Sequence, residues 1–408
     1  MSLPLPPTPV APPPLALSPP GFTVSRTHAW KLALTVIFFG FLVAPVFDLA
    51  LGLDPNPSPT RDVVPFPRPH LDRSLLRWPG SLIWYLKSNM GFRGALVRAH
   101  GRFVWSVLGG SPAPESVLRA SPWLFLSGER TPDDYRRVDP FSQASLSRWA
   151  ETLESRRRWL AARGIRYVVV IAPNKETIYS QDVPPWLTRA PGPSRLEQLD
   201  AQLQPSDVAI VDLTRPLEAA RPSGRLYHFT DTHWNDVGAF VGYRALAERL
   251  QPWFADLRPL EGSDLIETVA LTPGGDLARM SGLQLDLREP ERRLSLRPGV
   301  RDDGRFDDGS PIHFERMDVR GQPRFVTRAP GGEIASAVIL RDSFGEALIP
   351  YLSRHFQQAT WIWTYDFPTA EIESEKPALV IQELVERKLM VLEPSSPGTE
   401  APSGVSGP

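Results

Sequence analysis

Residues 165–172 read Ile-Arg-Tyr-Val-Val-Val-Ile-Ala, and no other stretch limits the fold so sharply. A strand with one wet face alternates apolar and polar residues. A strand apolar at nearly every position must be covered on both faces, the situation of a parallel strand between helical layers. The flanking pattern agrees. Leu146, Trp149, Leu153 and Leu160 form one stripe of a helix over 141–163, closed by Gly164 as its C-cap. A helix over 195–203 precedes a second strand at 208–213, and a short strand at 225–229 leads into a helix over 236–250. The run Ala335-Ser-Ala-Val-Ile-Leu340 is a strand followed by a helix over 344–356, and the last strands are 360–364 and 378–382. Residues 121–126 add a short strand. Strands alternating with helices predict an α/β fold with a doubly wound, mostly parallel sheet. Between about 260 and 332 Arg, Asp and Gly dominate, with short β-like pieces such as 323–327, so this segment is expected to be a β-rich insertion over one end of the sheet.

The N-terminal part follows different rules. Nine of the first 20 residues are Pro, which excludes a helix interior, and residues 1–28 are expected to be a disordered cytoplasmic tail. Leu32 to Phe47 is 16 residues without a charge, and residues 29–53 have the length of a transmembrane signal anchor. Arg26 and Lys31 precede it and Asp48 and Asp54 follow it, which puts the N-terminus in the cytoplasm and the rest outside. The lack of a small-x-small cleavage site weighs against a cleaved signal peptide. Residues 54–80 hold a Pro-rich spacer, a broken helix is expected over 82–108, and the main domain occupies 81–393. Residues 394–408 are of low complexity and are expected to be disordered.

Composition removes several chemistries. There is no cysteine, so disulfides, thiolate metal sites and a cysteine nucleophile are excluded. The balance of 45 basic against 46 acidic residues leaves no basic excess for a nucleic acid.

Two segments carry chemistry. Thr230-Asp231-Thr232-His233-Trp234-Asn235 places a carboxylate two residues from an imidazole, on one face if extended. A carboxylate on Nδ1 leaves Nε2 as a proton acceptor. Leu340-Arg341-Asp342-Ser343-Phe344-Gly345 places a serine where a strand turns into a helix, beside free backbone N–H groups suited to an oxyanion. Bland readings match the same residues: Asp-x-His is also a common surface pair or helix cap, and Asp-Ser before a helix is also an N-cap. His228, Asp231 and His233 are a third option as metal ligands, without helical His-x-x-x-His spacing.

Asp231-Thr-His233-Trp, followed about 110 residues later by strand-Arg-Asp-Ser343-Phe, resembles the alginate O-acetyltransferase AlgX/AlgJ family of SGNH-hydrolase-like domains. Ala172-Pro-Asn174-Lys175, Gly275-Asp-Leu-Ala-Arg279 and Leu379 to Arg387 add to the likeness. The resemblance implies a circularly permuted order, Asp-x-His before Ser, and acetyl transfer to exopolysaccharide hydroxyls. It implies Ser343, His233 and Asp231 as catalytic residues, with no cofactor and no metal. Asn174, Lys175, Asn235, Gly275 and Arg341 are the candidates for the oxyanion hole or substrate contacts, because the Gly-x-Asn-Asp block of SGNH enzymes is missing. The implied partners are a polysaccharide and a multispanning membrane acyltransferase that donates the acyl group. A carbohydrate acetylesterase with the same triad and a non-catalytic polysaccharide-binding subunit are the alternatives.

Overall fold

A computed structural model describes residues 26–51, 91–301, 303–312 and 324–398. The expected tail over 1–25, the spacer over 54–80, the start of the helix over 82–90 and the end of the C-terminal tail over 399–408 lie outside the described residues. The chain divides into two compact units, residues 1–96 and 97–408. The first holds α1 (Arg26–Leu51), a helix of 26 residues whose apolar side chains, Phe38, Phe41 and Leu42 among them, are exposed. Counted over the described residues, no helix is long and apolar enough to cross a membrane. The expected span over 29–53 therefore gains no support here. The second helix, α2 (Arg93–Phe103), begins in the first unit and ends in the second.

The second unit is built on the sheet that the apolar runs require. After the small β1 (Val117–Ala120) and β2 (Trp123–Leu126) ladder, α3 (Gln143–Ala161) leads into β3 (Arg166–Ala172). Then α4 (Arg195–Leu203), β4 (Ala209–Asp212), α5 (Thr214–Ala220) and α6 (Asp236–Leu250) follow. The insertion contains β5 (Leu265–Pro273), α7 (Asp276–Met280), β6 (Arg288–Leu296) and β7 (Arg305–Phe306). The chain closes with β8 (Arg324–Arg328), β9 (Ile334–Arg341), β10 (Phe356–Trp363), α8 (Thr369–Glu375) and β11 (Leu379–Val385). The seven-stranded sheet has the order β4-β3-β11-β9-β10-β8-β7. Its first five strands are parallel, and β8 and β7 continue the β10 edge antiparallel.

The layers follow from the sequence. Val168, Val170, Ile339, Ile381, Leu246 and Trp361 fill one face of the sheet, against α5 and α6. Val169, Ile171, Val338, Val380 and Leu384 fill the other, against Trp149, Leu153 and Leu199 of α3 and α4. Alternate residues of each strand thus enter opposite cores, so both faces of the run must be apolar.

Four expectations need correction. The 323–327 piece is β8 of the main sheet, because an antiparallel strand can satisfy the open N–H and C=O groups of the β10 edge. Residues 225–229 form no strand; one bridge, Tyr227 to Trp234, closes a tight loop instead. The helix over 344–356 is broken into a 3₁₀ turn (Phe344–Leu348), a short α turn (Ile349–Leu352) and a second 3₁₀ turn (Ser353–His355). Pro350 cannot donate an i→i−4 bond, which fits the break. The C-terminal segment is docked at its start: the buried Arg156 donates to the Ser395 carbonyl through Nε at 3.0 Å and Nη2 at 2.6 Å, and to Gln382 Oε1 at 2.8 Å.

A buried guanidinium without acceptors is costly, about 1–3 kcal/mol for each group left unsatisfied. Truncation after residue 398 is therefore expected to leave the denaturation midpoint unchanged, whereas truncation after residue 393 lowers stability by about that amount. Equal midpoints for the two truncations in chemical denaturation would refute the docking role of Ser395.

Candidate active site

Ligands of doubly wound sheets sit beyond the carboxyl ends of the strands, where the strand order switches direction. Here β3, β11 and β9 are neighbours at that switch, and their carboxyl ends deliver Asn174 and Lys175, Glu386 and Arg387, and Asp342 and Ser343. Ser343 is fixed by the residue before it. The Asp342 carboxylate accepts from Phe344 N–H at 2.8 Å and from Val385 N–H of β11 at 2.9 Å, and Asp342 N–H donates to Glu383 Oε2 at 3.1 Å. Gly345 is required in the turn, because a Cβ there would sit 2.8 Å from Arg341 Cβ and 2.9 Å from Glu383 Oε2.

The loop from Tyr227 to Trp234 brings the imidazole to the serine. Ser343 Oγ lies 2.8 Å from His233 Nε2, and His233 Nδ1 lies 2.6 Å from Asp231 Oδ1. An ionised carboxylate only accepts, so Nδ1 carries the hydrogen and Nε2 is left to accept from the hydroxyl. The chain Asp231–His233–Ser343 is unbroken, and the His233 side chain is 29% exposed. Burial works against the imidazolium, but the charge and hydrogen bond of Asp231 outweigh it, with help from Asp276, and lift His233 above its ordinary 6.5. Burial likewise works against the Asp231 carboxylate, and His233 overrides it, holding Asp231 well below the usual carboxylate range.

The loop is held from both sides. From the sheet, the buried Lys175 ammonium donates to the carbonyls of Asp231 (2.6 Å), His228 (3.2 Å) and Phe229 (3.5 Å); burial lowers this lysine to about 8. From the insertion, the Glu289 carboxylate accepts from the N–H groups of Phe229 (2.7 Å) and Thr230 (3.1 Å) and pairs with Arg225. The N-terminus of α7 backs the carboxylate: Asp276 N–H donates to Asp231 Oδ2 at 2.9 Å, and the Asp276 carboxylate accepts from Thr232 N–H at 2.8 Å and Oγ1 at 2.5 Å. Burial and the nearby charge of Asp231 raise Asp276.

The five secondary candidates fall outside the reacting centre. Asn235 is the N-cap of α6; its Oδ1 accepts from Gly238 N–H at 3.0 Å and its Nδ2 donates to the Arg225 carbonyl at 2.8 Å. Lys175 is committed to the three loop carbonyls. Gly275 donates its N–H to Thr230 Oγ1 at 2.9 Å, and a Cβ there would lie 2.3 Å from Asp231 Cβ, so it is a spacing residue. Arg341 is fully buried among Phe325, Trp363 and Glu346. Asn174 is buried, with Nδ2 donating to Asp134 at 2.8 Å. The metal alternative changes membership: Asp231, His233 and Asp276 cluster, without His228. The His233 Nδ1 of that cluster is the atom already hydrogen-bonded to Asp231, so a metal there would displace the bond that orients the imidazole.

Sequence reasoning missed Asp276, Glu289 and Arg387. Asp276 stands beside Gly275 and Arg387 ends the segment 379–387, so both lay within stretches already singled out. Glu289 gives no local signal, because its partners are 60 residues away along the chain.

Comparisons with known proteins bear on part of the site: Asp231 and His233 lie within the matched residues and Ser343 lies outside them. Residues 118–302 match the family described as "SGNH hydrolase-like domain, acetyltransferase AlgX". A protein named "probable alginate O-acetylase AlgJ" from Pseudomonas putida is 30% identical over 135 residues, 33% of this chain and 34% of that protein. Its namesake from Pseudomonas aeruginosa is 27% identical over 208 residues, 48% and 51% of the two chains. The chain thus spans about a third to a half of the length of these curated relatives. Among solved structures, a DHHW family protein from Eubacterium siraeum superposes with a TM-score of 0.50 at 13% identity, over 67% of this chain and 91% of that one, a likeness of fold. The O-acetyltransferase domain of Pseudomonas putida AlgJ aligns with a TM-score of 0.45 at 20% identity, over 68% and 93%. The permuted Asp-x-His-Trp and Asp-Ser-Phe segments meet at one site, and over residues 118–302 the chain resembles the AlgX/AlgJ-like family of SGNH-hydrolase-like proteins.

Proposed function

We propose that the protein is an O-acetyltransferase that modifies hydroxyls of an alginate-like or other exopolysaccharide through a covalent acetyl-serine. The observation that carries this reading is the hydrogen-bond chain Asp231–His233–Ser343 at the carboxyl end of the sheet. Ser343 gives its proton to His233 Nε2 as Oγ attacks the acetyl carbonyl of the donor. The bond to the donor breaks, and the leaving group takes that proton. A sugar hydroxyl then gives its proton to the same nitrogen and attacks the ester. The tetrahedral centre collapses, and Ser343 leaves reprotonated. Asp231 remains ionised throughout and holds the imidazole in the tautomer that works. The names of the curated relatives support acetyl transfer to a polysaccharide as the use of this site. Water as the second acceptor would make the same residues an esterase.

The reading includes a location. Residues 29–53 serve as a signal anchor, and the site lies outside the cytoplasm; Arg26 and Lys31 ahead of the apolar run support it. Acetyl-coenzyme A is a cytoplasmic donor, so the acyl group reaches Ser343 from a multispanning membrane acyltransferase.

Three outcomes are expected. In cells, Ser343→Ala and His233→Ala abolish polysaccharide acetylation by several orders of magnitude without unfolding the protein, since a capping serine contributes only about 0.5–2 kcal/mol. Mass spectrometry finds an acetyl adduct on the Ser343 peptide of the wild type alone; normal acetylation by a folded Ser343→Ala protein would leave only a binding subunit. The second outcome concerns pH. His233 acts as a base only when neutral, and its proton affinity is raised, so turnover of an activated acetyl ester increases as pH rises through a midpoint above 6.5. Asp231→Asn removes the stabilising charge, so the midpoint moves to lower pH while the plateau falls; an unmoved midpoint contradicts the pairing. The third outcome concerns topology: a reporter active only in the cytoplasm, fused after residue 390, stays silent, and activity there reverses the orientation.

A further inference from the structure

The site described so far has a nucleophile, a base and an orienting carboxylate, but its described asparagines are engaged in structural contacts: Asn235 caps α6 and Asn174 donates to Asp134. A positive group stands beside the gap. Arg387 lies two residues beyond β11, whose last residue, Val385, donates to the Asp342 carboxylate next to Ser343. Its guanidinium carbon is 5.5 Å from the centre of the Phe344 ring, and the His233 ring is 4.9 Å from that same ring. Arg387 is buried, 7% exposed. It is anchored at one end, where Nε donates to Glu129 at 2.7 Å and Nη1 reaches Asn174 Oδ1 at 3.5 Å. Its remaining nitrogen, Nη2, makes no hydrogen bond among the described residues. A buried guanidinium tied down on one side, with one donor uncommitted and its carbon 5.5 Å from the ring of the residue that follows Ser343, is a preorganised hydrogen-bond donor.

We propose that Arg387 is a catalytic residue of this site, donating through its guanidinium to the acyl oxygen of the substrate. The proposal rests on the acetyl-serine reading. As the bond from Ser343 Oγ to the carbonyl carbon forms, the π electrons move to the carbonyl oxygen. Arg387 donates hydrogen bonds to that oxyanion and transfers no proton. The carbonyl re-forms when the leaving group departs with the proton held by His233. The Ser343 backbone N–H, which has no acceptor among the described residues, is the second donor. The position fits the charges around it. Arg387 is held by the carboxylates of Glu129, Asp342 and Glu176. His233 faces Asp231 from its own loop, Asp276 from α7 and Ser343 from the turn after β9, with Lys175 behind the Asp231 carbonyl; Arg387 is the group at the end of β11 that works against its protonation.

The experiment uses the full chain in detergent and an activated acetyl ester, with melting temperatures measured for every variant. Arg387→Met is expected to lose about 10²–10³-fold in kcat with little change in KM. The midpoint of its pH–rate curve moves to higher pH, opposite to the shift in Asp231→Asn. Glu129→Gln, which breaks the ion pair but keeps the guanidinium, retains most of the rate. A folded Arg387→Met protein with near wild-type kcat, an unmoved midpoint, or an equal loss in Glu129→Gln would overturn the assignment. If Arg387→Met does not fold, Arg387→Lys decides, since it keeps the charge but not the planar fork: a clear loss of kcat at unchanged melting temperature supports the proposal, and a full rate ends it. Ser343→Ala separates the two readings. An active Ser343→Ala refutes the acetyl-serine mechanism, and Arg387 with it. An inactive Ser343→Ala beside a fully active Arg387→Met removes Arg387 alone.

Discussion

The Lys175 ammonium, buried at the carboxyl end of β3, ties the histidine-bearing loop to the sheet. Without it, the carbonyls of His228, Phe229 and Asp231 would converge with nothing to neutralise them. With it, a segment that has only one bridge of its own becomes as fixed as the strand it hangs from. A charge-assisted hydrogen bond is worth about 1.5–3 kcal/mol, and leaving a buried charge unpaired costs more than the bond gains. The loop therefore sits in one position, with Glu289 satisfying its N–H groups while Lys175 satisfies its carbonyls. The clamp places the loop that bears Asp231 and His233, while the bonds of Asp342 place Ser343.

Much of the scaffold was legible because it obeys short-range rules. The boundaries of α4 and α6 coincide with their apolar stripes, and Ser194 and Asn235 cap them as such residues do. The doubly covered strands announced themselves by lacking alternation. Two of the departures, β8 and the docked start of the C-terminal segment, involve partners distant in sequence. β8 was legible as a β-like piece, but its place in the main sheet depends on the edge that β10 offers. Residues 344–356 carry a helical pattern, yet Asp342, Glu383 and Pro350 hold that turn in tighter pieces.

The site divides the same way. Asp231, His233 and Ser343 could be picked out because each stands in a local motif, and their geometry brings the three together. The secondary candidates were chosen for residue type, and type does not tell whether an amide or ammonium faces a ligand or a neighbouring carbonyl. Asn235 has a helix end to cap, and Lys175 has three carbonyls to bind. Gly275 matters for what it lacks, since any side chain there would push Asp231 away from the imidazole. Arg387 went unnoticed because its significance lies in what the adjacent strand carries.

The strand order has a consequence for how the chain becomes active. β11 is the last strand in sequence, yet it lies between β3 and β9, buried along its whole length. The half of the sheet that carries the base and the half that carries the nucleophile share no ladder until residues 379–385 slide between them. Synthesis therefore finishes the keystone last. The candidate site is thereby completed only when residues 379–385 have joined the sheet.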